Sequence, residues 1–134
     1  MPQIHIQCYE EHTDAQKAAL VRDITKTVCA AAAVKPLNVQ IQFYPTPRNN
    51  RALSGKLMSE VEDPAKLPME DVPWLIVQFQ LFEGRSLDQK RAIAKGVTGD
   101  ISRNFGVRPD RIQIIISEMN RIHNSIGGLL AVDR

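Results

Sequence analysis

The chain repeats itself. Residues 2–57 align with residues 75–130 at a constant offset of 73, with no gap. The matches run through the whole length: Gln7/Gln80, Glu10/Glu83, Gln16/Gln89 and Thr25/Thr98, then Pro36/Pro109, Ile41/Ile114, Gly55/Gly128 and Leu57/Leu130. A fixed period of this kind means one supersecondary unit built twice, with the two copies burying a shared core. The copies differ at a place that bears on chemistry. The first begins at Pro2, which removal of Met1 would turn into a free amino terminus, whereas its counterpart Leu75 is always internal.

Each copy reads as strand, helix, strand. Residues 3–8 alternate polar and apolar, the pattern of a half-buried strand, and residues 75–82 are richer in apolar side chains and so more deeply buried. Thr13-x-x-Gln16 and Ser86-x-x-Gln89 both have the capping-box form, a hydroxyl for an orphan N–H and an amide reaching back. Helical spacing then runs through Leu20, Ile24, Val28 and Ala31, and through Ile93, Val97, Ile101 and Phe105. Pro36 and Gly106 are the stop signals. Second strands follow at Val39, Ile41 and Phe43, and at Ile112 and Ile114–Ile116. Connections this short predict a parallel pair with a right-handed crossover in each copy. The expected fold is α/β (α+β): two tandem β-α-β repeats, one four-stranded sheet, two helices on one face. The other face is left uncovered and is expected to carry apolar side chains, which favours a multimer.

The expected division is a first repeat over 2–59, a linker over 60–72 and a second repeat over 73–134, paired into one globular domain. The linker breaks the pattern with Pro64, Pro68 and a run of acidic residues. A chain of 134 residues suits a single core, and a net charge of +2 gives no nucleic-acid footprint. No apolar run approaches the ~20 residues of a membrane helix, so the cytoplasm is the expected compartment. Cys8 and Cys29 have neither metal-type spacing nor the number for a disulfide framework. No metal or cofactor is expected.

The start Met1-Pro2 is the sharpest local cue. A methionine before a small residue is commonly removed, leaving proline with a secondary amine that acts as base and nucleophile. Desolvation or nearby cations pull such an amine below the ordinary α-amino range of ~7.7–8.0. The second copy reads L-F-E-G-R-S-L-D-Q-K through I-I-I-S-E-M to I-G-G-L-L-A. It resembles the 4-oxalocrotonate tautomerase family, in the E-G-R-S turn, the I-I-x-E-M strand end and the I-G-G turn. The first copy is a weaker match, held by its initial proline and the shared helix start. The whole chain looks like a fused, tandem member of the tautomerase superfamily, and the resemblance implies a homotrimer imitating the hexamer of single-repeat relatives.

The resemblance implies site residues position by position. Pro2 matches the catalytic proline, which moves a proton between enol oxygen and carbon. Arg85 matches the turn arginine that binds carboxylate or polarises the carbonyl, and His12 stands at the same place in the first copy. Gln40 and Gln113 stand where the family has a strand arginine, and Arg51 and Asn124 where it has an aromatic residue. A glutamine offers a neutral amide where arginine offers a charged planar fork, so weak activity on a dicarboxylate follows. His12, Gln40, Arg51, Gln113 and Asn124 are the expected substrate-binding residues. Arg51 restores a cation or is a solvated loop residue, and His12 carries a proton or faces solvent. Trp74 walls the pocket or covers the open face, Pro73 is an imide and no second base, and His5 and His123 are structural.

The implied activity is cofactor-independent keto–enol isomerisation of a small 2-hydroxyalkenoate or aryl enolpyruvate, a small carboxylate substrate in either case. Two alternatives stay open. A cationic proline suits dehalogenation by hydration or decarboxylation, with Glu10 or Glu11 positioning water. A chain that keeps Met1 has no basic prolyl nitrogen, and is then a catalytically silent, ligand-binding trimer.

Overall fold

Both repeat copies fold as their patterning dictates. The computed structural model describes residues 1–8, 11–62 and 75–134. The first copy gives β1 (Gln3–Cys8), α1 (Asp14–Ala32), β2 (Gln40–Pro45) and the short hairpin β3 (Ala52–Leu53) and β4 (Lys56–Leu57). The second gives β5 (Leu75–Phe82), α2 (Leu87–Phe105), β6 (Ile112–Met119) and the hairpin β7 (Ser125–Ile126) and β8 (Leu129–Leu130). Nearly all of the linker segment, with Pro73, Trp74 and Glu10, lies outside the described residues.

The helices coincide under the repeat offset, 19 residues each, because their start signals do. Thr13 Oγ1 accepts from Gln16 N and Ser86 Oγ from Gln89 N, both at 3.1 Å, and each glutamine side chain accepts from the capping residue's own N–H. Their ends differ from the sequence expectation in one copy. Gly106 closes α2 in the left-handed conformation, as its lack of a Cβ allows. Pro36 does not close α1, which already stops at Ala33, itself left-handed at φ 55° and ψ 47°; Pro36 opens a separate 3-10 turn. A non-glycine residue there costs roughly 1 kcal/mol. Ala33→Gly is therefore expected to raise stability by about 0.5–1 kcal/mol, read as a higher urea midpoint at unchanged slope.

One mixed sheet joins the copies in the order β2-β1-β5-β6. The pairs inside each copy, β1 with β2 and β5 with β6, are parallel. The join between copies, β1 with β5, is antiparallel, with Gln3 opposite Gln80 and Gln7 opposite Ile76. Each inner strand therefore begins where the other ends. Both helices lie on one face, over Ile4, Ile6, Val77, Phe79 and Leu81, with Ile24 and Ile101 from the helices fully buried among them. Ala32, rather than Ala31, completes the buried stripe of α1.

The open face carries exposed apolar side chains, Ile115 and Tyr44 among them, but its centre is more polar than expected: a shallow cavity of about 290 Å³ lined by Gln3, His5, Gln78, Gln80, Ile115 and Ser117. The period-2 alternation of the inner strands explains this: once Ile4, Ile6, Val77 and Phe79 face the helices, the intervening amides must face away. His5 packs against Tyr44 on this face, ring centroids 5.1 Å apart. The apolar excess of β5 is local, with Phe82 lying under the Arg121 guanidinium at 4.5 Å.

The two helices meet across the approximate twofold axis of the repeat. Thr27 and Asp100 occupy the same repeat position, and Thr27 Oγ1 donates to the buried Asp100 carboxylate at 2.6 Å. Arg103 donates to Asp100 and to Asp23, tying the helices together at the rim. Gly96 lets the helices approach, since a Cβ there would run into Thr27 Cγ2, whereas a Cβ at Gly99 meets open space. Thr27 cannot swing away without losing its bond to Asp100. Gly96→Ala is expected to destabilise by about 1 kcal/mol net, overpacking outweighing helix propensity. Gly99→Ala should instead stabilise by about 0.5–1 kcal/mol, and paired urea melts compare the two.

Candidate active site

Because β1 and β5 run antiparallel, the turn after β5 lies beside the start of β1. That brings Arg85 and Pro2 to one end of the sheet. Pro2 is buried, and its carbonyl accepts from Gln40 N at 3.1 Å, so β2 fixes the backbone at the proline. Arg85 is half-buried and donates from Nη2 to Ala32 O at 3.3 Å, one of the orphan carbonyls at the end of α1. A cation there also suits the negative end of the helix dipole. Asn124 belongs to this end too. It follows the 3-10 turn after β6, and β6 ends beside β5, with Met119 opposite Phe82.

The electrostatics are those of an amine among cations. Burial first, then the charges of Arg134 and Arg85, lower the pKa of the Met1 amino group below the ordinary α-amino value. Arg134 is the residue that sequence reasoning missed. Its guanidinium donates to Asn124 Oδ1 at 2.7 Å. Nothing in the repeat marks it, since the matching position in the first copy is Val61.

The remaining expected residues stand elsewhere in the same chain. Gln113 pairs with Ile76 at the start of β5, the far end of the sheet from Pro2, and β1 alone spans roughly 20 Å at ~3.3 Å per residue. Arg51 lines a cavity of about 250 Å³ at that far end, with Gln7, Cys8, Thr46, Asn50 and Ile76. Burial pulls its guanidinium pKa down. His12 is there as well, stacked on Phe105 at the end of α2 with centroids 3.7 Å apart. This mirrors the contact of Arg85 with Ala32, its repeat counterpart. Each chain thus has two related ends: one carries Pro2, Arg85, Gln40 and Asn124, the other His12, Arg51 and Gln113 beside Leu75.

Cys8 and Cys29 are free thiols, and burial raises the Cys8 pKa against the opposing charge of Lys17. Glu11 is exposed, and His123 sits exposed in the turn after β6. Among the described residues no group of three His, Cys, Asp or Glu side chains could hold a metal ion, and no helix is long and apolar enough to cross a membrane.

Two parallel β-α-β units joined antiparallel define a tautomerase-type fold, and Pro2 and Arg85 share one end of its sheet. The family described as Tautomerase enzyme matches residues 76–134. A probable tautomerase of Lactiplantibacillus plantarum is 40% identical over 58 residues, which are 91% of that protein and 43% of this chain. A probable tautomerase of Listeria innocua is 36% identical over 62 residues, 98% of that protein and 46% of this chain. These relatives are one repeat long. Over the whole chain, the crystal structure of a native fused 4-OT superposes with a TM-score of 0.83 at 18% identity, covering 97% of this chain and 96% of that one. Macrophage migration inhibitory factor of Toxoplasma gondii does so at 0.74 and 20%, covering 96% and 98%. At such identities the likeness is one of fold. The chain belongs to the tautomerase family, its second repeat matching members one repeat long.

Proposed function

We propose that this protein is a cofactor-independent tautomerase acting on a small 2-hydroxyalkenoate or aryl enolpyruvate, with Pro2 as general base and then acid. The observation that carries the reading is the convergence of Arg85 on the buried end of the chain that holds Pro2. With Met1 removed, the neutral prolyl amine takes the enol O–H proton. The oxygen lone pair forms C=O, the C=C pair moves to the neighbouring carbon, and the prolyl ammonium returns the proton there. Arg85 holds the carboxylate or the developing oxyanion, which a charged fork does better than a neutral amide. Gln40 and Asn124 wall the same end.

The homotrimer belongs to this proposal. One solved fused 4-OT of this fold is an asymmetric trimer and another a symmetric one. In such an assembly the far end of one chain, with His12, Arg51 and Gln113, reaches a Pro2 site only across an interface. Two free thiols, one buried and one half-buried, fit a reducing cytoplasm. The division into repeats at 2–59 and 73–134 follows the offset common to both helices.

The test begins with the intact mass of tag-free protein. Loss of Met1 is expected, and with it turnover of phenylenolpyruvate; native protein that keeps Met1 would overturn the prolyl mechanism. The pH profile is a second measure. The burial and cations that lower the pKa of the Met1 amino group would act in the same direction on the prolyl amine that its removal exposes, so the neutral base is expected to persist to lower pH. The acid limb of kcat/KM should therefore fall below ~7.7, with activity rising as pH rises through it.

A further inference from the structure

The Pro2 end of the sheet holds a second cation that neither the repeat nor the family motifs point to. We propose that Arg134 is a substrate-carboxylate ligand of the Pro2 site, held there by Asn124, while Arg85 faces the oxygen on the neighbouring carbon. This rests on the tautomerase reading and adds a residue to it.

Arg134 arrives on a different element from Arg85. It follows the 3-10 turn after β8, where its own N–H donates to Ala131 O at 3.4 Å. Asn124 anchors both ends of that segment. Its carbonyl accepts from Ala131 N at 2.7 Å, and its side-chain oxygen accepts from Arg134 Nη2 at 2.7 Å. The loop after β6 and the last turn are thereby closed on each other, and the guanidinium is held at this end of the sheet. Among the described residues its hydrogen-bonding partner is that neutral amide, not a carboxylate. The remaining N–H groups keep their capacity for an anion.

The Asn124 contact explains why a polar residue is useful at this position. An apolar side chain would wall the pocket but could not accept from a guanidinium. The charge matters because Gln40, the strand residue at this end, offers only a neutral amide. Two cations from separate loops, both near enough to lower the pKa of the Met1 amino group, give a 2-hydroxy acid a partner for each oxygen-bearing group. Arg134 binds, Asn124 positions.

The experiment compares wild type, Arg134→Gln, Arg134→Lys and Asn124→Leu in phenylenolpyruvate turnover. Arg134→Gln is expected to raise KM about tenfold, the size of one charge-assisted hydrogen bond, with kcat changed less than threefold. Arg134→Lys should recover most of the loss, because the charge remains. Asn124→Leu should give a smaller rise in KM, since the guanidinium is present but untethered. The acid limb of kcat/KM should move to higher pH in Arg134→Gln, because one cation no longer opposes protonation of the amine. An unchanged KM and acid limb in Arg134→Gln would overturn the proposal.

A binding measurement separates this proposal from the reading beneath it. Calorimetric titration with 3-phenylpropanoate, an unreactive carboxylate, needs no turnover. Affinity about tenfold weaker in Arg134→Gln supports the Arg134 role even if Pro2→Ala keeps full activity and the prolyl mechanism falls. Equal affinity in wild type and Arg134→Gln removes Arg134 from the site even if Pro2→Ala is inactive.

Discussion

Pro2→Ala should lose at least about 10²-fold in kcat on phenylenolpyruvate, within the ~10²–10⁴ that a positioned acid–base group supplies. The substitution leaves a primary amine whose nitrogen is no longer fixed by a ring. The fold should be indifferent to the change. Pro2 contributes its carbonyl to the sheet through Gln40 N, and alanine keeps that carbonyl. Far-UV circular dichroism and the urea midpoint are therefore expected to match wild type while turnover collapses. A preparation that retains Met1 should be equally inactive, because the prolyl nitrogen is then part of an amide. Wild-type rates in Pro2→Ala would remove the proline from the mechanism.

Arg85→Gln should lower kcat/KM for the same substrate by roughly 10–100-fold, the equivalent of one charge-assisted hydrogen bond of ~1.5–3 kcal/mol. A second consequence is structural. The guanidinium donates to Ala32 O at the end of α1, and loss of that bond together with the helix-end cation should cost about 1 kcal/mol. Arg85→Lys keeps the charge but not the fork, so activity should return only in part. Steady-state kinetics beside a urea melt separates the two effects: a variant that is less stable yet fully active would make Arg85 a helix cap and nothing more.

The reach of the sequence differs between the parts of this molecule. Capping boxes, apolar stripes and alternating strands are local signals, with periods of 3.6 and 2, and both helices start where Thr13 and Ser86 say they should. The end of α1 was less legible: Pro36 is a strong breaker, but Ala33 turns left-handed ahead of it with no residue type to announce the change. The open face was legible only in part. The uncovered face was expected to carry apolar side chains, and Ile115 and Tyr44 stand exposed on it, while the alternation of β1 and β5 sends Gln3, Gln78 and Gln80 to its centre.

The repeat offset, the β-α-β unit of each copy and the proline that opens the first copy were determined by sequence alone, because each is a property of neighbouring residues. Which residues stand beside that proline was decided only by tertiary structure. Repeat alignment placed His12 with Arg85, Gln40 with Gln113, and Arg51 with Asn124 as equivalents, and they are equivalents. The antiparallel join of β1 to β5 then sends one member of each pair to the Pro2 end and the other to the Leu75 end. That join is a pairing between strands some 70 residues apart, and no local period encodes its direction. Arg134 is legible only in space, since its role comes from the Asn124 side chain that tethers it and from no motif around it.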